Sequence, residues 1–271
     1  MRYLFLVVLY KKKISECETI ESLAKVNGEF DKKIIIWDNG GIYQDESELA
    51  LLKKLRGDCV YICDGVNTGL ATVYNKVCNE NSFDYVIILD HDTNLPANYL
   101  SVLDDSVKNN SDIKLFLPLI YSEGKLVSPG DLRVFKGRHW RREICGPVSS
   151  KSKLAITSGM VIAKKYMAGN KRVFDERLRL YGIDTKFMID YAESEDEFFV
   201  MPVKINHHTM LWSNPTADVM LVRFRNLRRS WFIVFSDSGL KLFMVIPYSI
   251  FVSVKMAIKY KDVRFMFGWG K

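Results

Sequence analysis

Two aspartates that flank a histidine, Asp90-His91-Asp92, are the residues of this sequence that point most directly to chemistry. The apolar, β-branched run over residues 85–89 predicts a buried strand before them, and the Thr-Asn-Leu-Pro that follows is typical of a turn. Ligands of open α/β sheets bind beyond the carboxyl ends of the strands. Two carboxylates cannot both be buried there unpaired, so we expect a divalent cation, Mg²⁺ or Mn²⁺, that carries a diphosphate. The alternative is a solvated turn that contains two acids.

The overall charge indicates an anionic partner. The 271 residues carry a net charge of +7, which suits phosphorylated substrates, a lipid surface or nucleic acid. This length allows one large α/β domain, or a domain with an appendage. Five cysteines show no paired metal spacing, and their odd number without a secretion signal predicts free thiols in a reducing compartment.

Strands that alternate with helices are predicted along the first half of the chain. Apolar runs over residues 2–10, 33–37, 59–63 and 85–89 predict four strands, and helices are predicted between them over residues 11–26, 46–55 and 67–77. This alternation predicts right-handed crossovers and an α/β fold with a Rossmann-like, mainly parallel central sheet flanked by helices. Three of the strands end on an acid, which predicts a cleft lined by Asp38, Asp64 and Asp90.

The second half of the chain is less regular. A helix is predicted over residues 95–108, strands over 113–121, 154–164 and 198–205, and a loop followed by a helix over 174–187. The segment rich in Gly, Arg and Lys predicts a long loop or hairpin over residues 123–147. We therefore expect a catalytic domain with a nucleotide-binding half and an acceptor half, then a C-terminal segment; the bounds are 1–95 and 96–218, then 219–271.

These motifs, in this order, resemble family-2 glycosyltransferases of the GT-A fold, in the bacterial rhamnosyltransferase-like branch. The resemblance covers roughly Tyr3 to Asn226. The motifs that carry it are Val7–Tyr10, Trp37-Asp38-Asn39-Gly40, Asn67-x-Gly69-x-Ala71 with Asn75, Leu89-Asp90-His91-Asp92-Thr93, Thr157-Ser158-Gly159, Phe174-Asp175-Glu176 with Gly182-Ile183-Asp184, and Arg223-x-Arg225-Asn226. His91 stands where Gln is expected, Gly182 where an aromatic or Ile is common, and residues 177–179 are unusually basic, which bears on the sugar specificity.

The resemblance implies a metal site and a donor site. Asp92 would hold the metal, and Asp90 would contact the metal or the ribose. His207 and His208 follow a predicted strand, so alternation sends them to opposite faces and only one reaches the cleft. We assign His207 to the metal; the alternatives are a phosphate contact, or a histidine packed at a strand end.

Four further residues are implied for the donor. Tyr10 would stack on the base, or else pack within its strand. Asp38 would contact the base or ribose, or else serve as a turn acid before Asn-Gly-Gly. Asn67 and Asn75 would hold the pyrophosphate side or brace the cleft, and Asn67 is equally suited to a helix N-cap.

On the acceptor side, Asp184 is the candidate general base, because an inverting transfer needs one carboxylate that deprotonates the acceptor hydroxyl. Asp175 and Glu176 are rivals for this role, but are better placed to orient the acceptor or to cap the following helix. Ser158 and Gly159 belong to the acceptor-side signature.

The C-terminal segment predicts contact with a membrane. Arginines alternate with aromatic residues over 223–232, and an uncharged run over 242–254 is bounded by Lys241 and Lys255. This run is shorter than the roughly 20 residues that span a bilayer, so we expect a basic amphipathic segment in the interface. The alternative is a helical pair that packs on the core. Peripheral attachment at the cytoplasmic face of the membrane follows from the first interpretation.

The resulting functional hypothesis is an inverting, Mn²⁺- or Mg²⁺-dependent glycosyltransferase. It would move a hexosyl or deoxyhexosyl residue from a nucleotide-diphosphate sugar, dTDP-L-rhamnose or a UDP-sugar, to a glycan or polyprenyl-diphosphate-linked acceptor, an intermediate of O-antigen or capsule. One alternative, a nucleotidyltransferase, would usually have a Gly-rich phosphate loop, which is missing near Leu9-Tyr10-Lys11. A nucleic-acid-binding protein is the other, but acids at the sheet edge would repel phosphates.

Overall fold

A sheet of ten strands runs through the protein. The computed structural model describes residues 1–170, 172–207 and 216–267. Its strands are β1 (Arg2–Leu9), β2 (Asp31–Asp38), β3 (Asp58–Cys63), β4 (Tyr85–Asp90), β5 (Thr93–Asn94), β6 (Leu115–Ser122), β7 (Lys125–Ser128), β8 (Gly130–Arg133), β9 (Lys136–His139), β10 (Gly146–Ser149), β11 (Lys153–Leu154), β12 (Met160–Ala163) and β13 (Glu197–His207). Its α-helices are α1 (Glu18–Ala24), α2 (Glu46–Leu51), α3 (Leu70–Glu80), α4 (Tyr99–Asn109), α5 (Ile183–Ser194), α6 (Ala217–Val234) and α7 (Gly239–Tyr260).

The half of the sheet built from the first four predicted strands is parallel. β4, β1, β2 and β3 are neighbours in this order, all in the same direction. Side chains alternate between two cores: Leu4 and Leu6 face the core that packs against α3, whereas Phe5 and Val7 face the core against α1 and α4. Burial on both faces explains why these strands are continuous apolar runs. The predicted α/β class and mainly parallel sheet are confirmed.

The other half of the sheet is mixed. β12 lies antiparallel between β4 and β6, and β13 runs parallel to β6. The segment predicted as a loop or hairpin contains short strands: β7 pairs with β6, β8 and β9 form a hairpin, and β10 pairs with β13. A small separate sheet has the order β11-β8-β9.

Several predicted elements differ at their ends. The helix predicted over residues 11–26 is a 3-10 turn, Ile14–Glu16, followed by α1, and the one predicted over 46–55 ends as a 3-10 turn, Leu52–Lys54. α4 begins at Tyr99 rather than near Leu95, because the residue before Pro96 is disfavoured in helical conformation. The strand predicted over 154–164 is divided into β11 and β12 by a turn in which Gly159 has a φ of 79°.

The C-terminal helices pack on the catalytic domain. Trp231 and Tyr248 place their ring centroids 5.0 Å apart between α6 and α7. Val234, Phe235 and Val245 belong to the same core as α3, and the predicted boundary at residue 218 falls in the first turn of α6. α7 is 22 residues long, so by length and composition it could cross a membrane, and the argument that the uncharged run is too short is corrected.

Gly159→Ala should destabilise the protein, because a Cβ there would lie 2.8 Å from Pro118 Cγ and 2.9 Å from Ile205 Cδ1. Gly124→Ala is the matched control, since Gly124 has a similar φ of 73° and no described heavy atom lies within 4 Å of its Cβ position. Both variants lose the left-handed preference of glycine, so the difference isolates the clash, about 1–3 kcal/mol of unfolding free energy. Urea unfolding measures it, and equal losses would contradict the packing described here.

Candidate active site

The Asp90–Asp92 turn closes β4 at the carboxyl end of the sheet. The turn leads into β5, which pairs antiparallel with the last residues of β13. This pairing sets His207 opposite Thr93 and brings His207 Nδ1 to 3.3 Å from Asp92 Oδ1. The ligand atoms of Asp90, Asp92 and His207 all lie within 4.8 Å of one another. The structure therefore brings the three predicted metal ligands together; His208 lies outside the described residues.

Two buried polar atoms in this cluster lack the hydrogen bonds that burial demands. Asp92 Oδ1 and His207 Nδ1 are close, yet neither has a hydrogen-bond partner among the residues that the structure describes. Leaving such groups unsatisfied is costly. Burial also raises the pKa of the Asp90 carboxyl. A divalent cation would satisfy both atoms, and two carboxylates with an imidazole are a donor set that Mn²⁺ accepts. The residues present fit a metal.

Hydroxyl groups of α1, which the sequence analysis missed, hold the turn in place. Thr19 Oγ1 donates to the carbonyl oxygen of Asp90 and accepts from Thr93 N at 2.9 Å. Ser22 Oγ accepts from Leu95 N at 3.1 Å and donates to Thr93 O at 3.3 Å. Both residues are buried on one helix face, three positions apart. The sequence feature that could have indicated this role is the pair of hydroxyl residues three positions apart, Thr19 and Ser22.

Ser158 and Gly159 lie directly behind the Asp90–Asp92 turn. Ser158 is 1% exposed, and its Oγ accepts from Asp90 N at 3.3 Å and shares a hydrogen bond with Thr93 Oγ1. The amide of Gly159 donates to Ile88 O at 2.7 Å. Both residues lie in the turn before β12, where Ser158 positions the Asp90–Asp92 turn. The acceptor contact predicted for both stays a prediction.

Asp38 supports the loop that follows β2. Its Oδ1 accepts from the amides of Gly40 and Gly41 at 3.0 and 3.1 Å, and its Oδ2 accepts from Tyr61 at 2.8 Å. The side chain is fully buried. These hydrogen bonds are those expected of an acid that stabilises a turn, which was the alternative interpretation. Neither carboxylate oxygen of Asp38 is exposed for the predicted contact with the base.

Tyr10 and Asn67 lie at the rim of the same sheet edge. Tyr10 follows β1, is 42% exposed, and has Lys11 Nζ 5.5 Å from its ring centroid. Asn67 is exposed; its Oδ1 accepts from Asn39 at 3.2 Å and its carbonyl oxygen accepts from Arg179 at 2.9 Å. The N-cap of α3 is Gly69 rather than Asn67. Both predicted donor contacts remain predictions, at accessible positions.

Asn75 is hydrogen-bonded to Phe174 and Glu176, and thereby joins α3 to the loop at residues 174–177. Asn75 Nδ2 donates to Phe174 O at 2.8 Å and to Glu176 Oε1 at 3.0 Å, and Asn75 Oδ1 accepts from Phe174 N. Asp175 is paired with Arg177 at 2.6 Å, which holds the pKa of Asp175 below its usual range. These contacts join α3 to the 174–177 loop, as the bracing alternative for Asn75 predicts. The pyrophosphate role of Asn75 and the acceptor roles of Asp175 and Glu176 stay predictions.

Asp184, the candidate base, is the second residue of α5, after Gly182 with a φ of 82°. Its Oδ1 accepts from the amide of Thr185 at 2.7 Å. Burial raises the pKa of the Asp184 carboxyl, and the charge of Asp90 raises it further. Burial likewise raises the pKa of Tyr74, to which Asp90 and Asp184 both add. The Asp184 carboxyl therefore interacts electrostatically with Asp90.

A cavity of about 530 Å³ opens beside Asp184. Its walls come from the start of α5, the small sheet, α6 and α7. Most of the lining is apolar, and its cationic members are Arg223 and Lys259. Sequence analysis did not predict this cavity, since elements far apart in the chain, from the small sheet to α7, form it.

Comparison with solved structures supports the fold. S. aureus TarS 1-349 superposes with a TM-score of 0.57 at 13% identity, covering 99% of this chain and 73% of that one. The same protein in complex with UDP-GlcNAc gives 0.57 at 14% identity, with 99% and 74% covered. GalNAc-T7, solved with UDP, GalNAc and Mn²⁺, gives 0.62 at 12% identity, with 98% and 56% covered. These likenesses establish a GT-A architecture.

The sequence comparison identifies the family. Among curated proteins, none matches this chain. The model of the family described as "Glycosyl transferase family 2" matches residues 11–175, more than half of the chain. The matched range contains the Asp90–Asp92 turn and Ser158, which is hydrogen-bonded to it. The chain belongs to glycosyl transferase family 2.

Proposed function

We propose that the protein is a metal-dependent, inverting glycosyltransferase. The observation that carries the proposal is the pair of buried, unsatisfied atoms, Asp92 Oδ1 and His207 Nδ1, which lie 3.3 Å apart. The charge of Asp90 also acts on the buried carboxyl of Asp184. One side of this site suits a cation and a diphosphate, and the other offers a base. The donor would be a nucleotide-diphosphate sugar, dTDP-L-rhamnose or a UDP-sugar, because TarS was solved with UDP-GlcNAc and GalNAc-T7 with UDP and Mn²⁺.

The reaction requires one proton acceptor and one stabilised leaving group. The acceptor hydroxyl gives its proton to Asp184 as its oxygen bonds to the anomeric carbon, while the bond from that carbon to the β-phosphate oxygen breaks and the nucleoside diphosphate keeps the electron pair. Mn²⁺ or Mg²⁺, held by Asp90, Asp92 and His207, would supply Lewis-acid stabilisation of the diphosphate. Thr19, Ser22 and Ser158 keep the Asp90–Thr93 turn in position through the hydrogen bonds described above.

The outer face of α7 supports attachment to a membrane. Its exposed apolar side chains recur at helical spacing, and they are Leu240, Phe243, Met244, Ile246, Ile250, Phe251, Val254 and Ile258. The opposite face packs on α6, where Arg228 Nη1 donates to Ser253 Oγ at 3.4 Å. A helix that packs along a folded domain in this way is better suited to lie in the membrane interface than to cross the bilayer, although its length allows either. We propose peripheral attachment at the cytoplasmic face, with a glycan or polyprenyl-diphosphate-linked acceptor of O-antigen or capsule assembly.

Asp92→Asn and His207→Ala should each weaken Mn²⁺ binding at least about tenfold, because each removes a ligand atom. Asp64→Asn is the control, since Asp64 also follows a strand but its Oδ1 accepts from the amide of Val66 at 3.0 Å. Electron paramagnetic resonance of free Mn²⁺, titrated with protein and UDP, measures the affinity. Donor turnover that survives complete chelation of divalent ions would contradict the metal dependence.

Asp184→Asn should reduce sugar transfer at least about 100-fold while UDP affinity stays within about twofold, because the amide cannot accept the proton. Asp190→Asn is the matched control on the same helix; Asp190 pairs with Lys186 at 2.6 Å, away from the cleft. Single-turnover transfer and UDP titration separate the two effects. Full turnover in Asp184→Asn would remove this residue from the mechanism.

The acid limb of the rate profile should lie above the ordinary aspartate pKa of 3.8, because burial raises the pKa of Asp184 and only the ionised carboxyl accepts a proton. Activity is therefore lost as the pH falls through the raised value. The Thr185 hydroxyl, 3.4 Å from Asp184 Oδ1, lowers this pKa, so Thr185→Val should move the limb to higher pH. An unmoved limb, measured as kcat/KM against pH, would assign it to another group.

Phe251→Glu should reduce binding to vesicles that contain phosphatidylglycerol at least about tenfold, since it removes an apolar side chain that is 66% exposed and adds a negative charge. Leu49→Glu makes the same charge change on α2 and should have no effect. Co-sedimentation measures the bound fraction. These substitutions are sharper than deleting residues 219–271, which would also remove Val234, Phe235 and Val245 from the core. Equal binding of both variants would refute the anchor.

A further inference from the structure

The cavity beside Asp184 has the chemistry of a site for an amphiphile. Phe224, Leu227 and Trp231 of α6 face Val252 and Met256 of α7 across it. Its apolar walls also include residues of the small sheet: Leu132, Phe135 and Leu154. Its volume, about 530 Å³, is that of an ordinary small-molecule site. A sugar alone would not complement a lining that is mostly apolar.

Two cations and one acid are placed among the apolar walls. Arg223 is partly buried, and Lys259 is exposed at the end of α7, with its Nζ 5.2 Å from the Tyr260 ring centroid. Asp184 lines the same cavity. An anionic head next to Arg223 and Lys259 and a hydrocarbon chain along α6 and α7 would complement this lining. The base would then lie within reach of a hydroxyl close to that head.

The cavity adjoins the surface that is proposed to face the membrane. α7 contributes to both: Val252 and Met256 line the cavity, while Phe251 and Val254 point outward from the same turns. A lipid phosphate at the membrane surface would need to move only past one helix to enter. This continuity selects a lipid-linked occupant over a free glycan.

We infer that this cavity binds the phosphate-proximal part of a polyprenyl-diphosphate-linked acceptor, and that the sugar which receives the new residue is attached close to that diphosphate. The inference rests on the proposed function, and it specifies an early step: the class of reaction that supplies the substrate is the transfer of a first sugar phosphate to a polyprenyl phosphate. Acceptors that carry a long glycan would hold their reactive end too far from the chain to fill the cavity and meet Asp184 together.

Calorimetric titration with hexyl, octyl and decyl phosphate, below their micelle concentrations, tests the chain site. Affinity should rise about fourfold for each added methylene. Leu227→Trp and Val252→Phe fill the cavity from opposite walls, so each should flatten this dependence. Phe251→Glu, on the outer face of α7, should retain it. A flat dependence in the wild-type protein, or an unchanged one in both filled variants, would overturn the inference.

Comparison of decyl phosphate with decanol tests the head-group site. Decyl phosphate should bind at least about tenfold tighter, and Lys259→Met should reduce this preference; equal affinities would overturn the anionic head. UDP titration with Mn²⁺ in every variant shows that the donor half is folded. If the wild-type protein bound alkyl phosphates as expected but not UDP with Mn²⁺, the proposed function would fail while the chain site stood.

Discussion

Buried charge that the protein itself does not neutralise is the constraint on which this structure depends. Asp90 and Asp92 end a central strand, and the pairing of β5 with β13 adds His207 instead of an arginine or lysine. Ion pairs elsewhere in the fold, such as Asp175 with Arg177, show that the chain can neutralise a carboxylate when nothing else must bind. At the cluster, the missing positive charge is left for a cation, and the surrounding hydroxyl groups fix the backbone so that the ligand atoms stay together.

A third buried carboxyl, that of Asp184, interacts electrostatically with Asp90. Asp184 is held by the amide of Thr185 and raised in pKa by burial and by the charge of Asp90. A cation at Asp90 would reduce that repulsion and favour the ionised form of Asp184. Donor binding and base strength are therefore coupled through electrostatics, without any movement of the backbone. Carboxyl groups with separated environments are how one site supplies both an electrophilic side and a basic side.

The sequence was sufficient for those parts of the fold that repeat a pattern. Continuous apolar runs predicted the parallel strands and thereby the position of Asp90, and alternation along β13 predicted that one histidine would face the cleft. The pairing of β5 with β13 could not be predicted, since a two-residue strand has no pattern. The hydrogen bonds of Asn75 with Phe174 and of Ser158 with Thr93 could not be predicted, because only the tertiary structure brings these residues together. Thr19 was missed for the same reason.

The C-terminal helices complete the catalytic domain. Val234 and Phe235 fill the core that also contains Tyr74, and Ser230 Oγ lies 3.2 Å from the position that a Cβ at Gly182 would occupy. Gly182 is therefore required both by its φ of 82° and by the close approach of α6. Because Gly182 begins the helix that carries Asp184, the packing of α6 sets the place of the base. The surface proposed to meet the membrane and the proposed catalytic site are thus joined through the packing of α6, which a free-standing anchor would not provide.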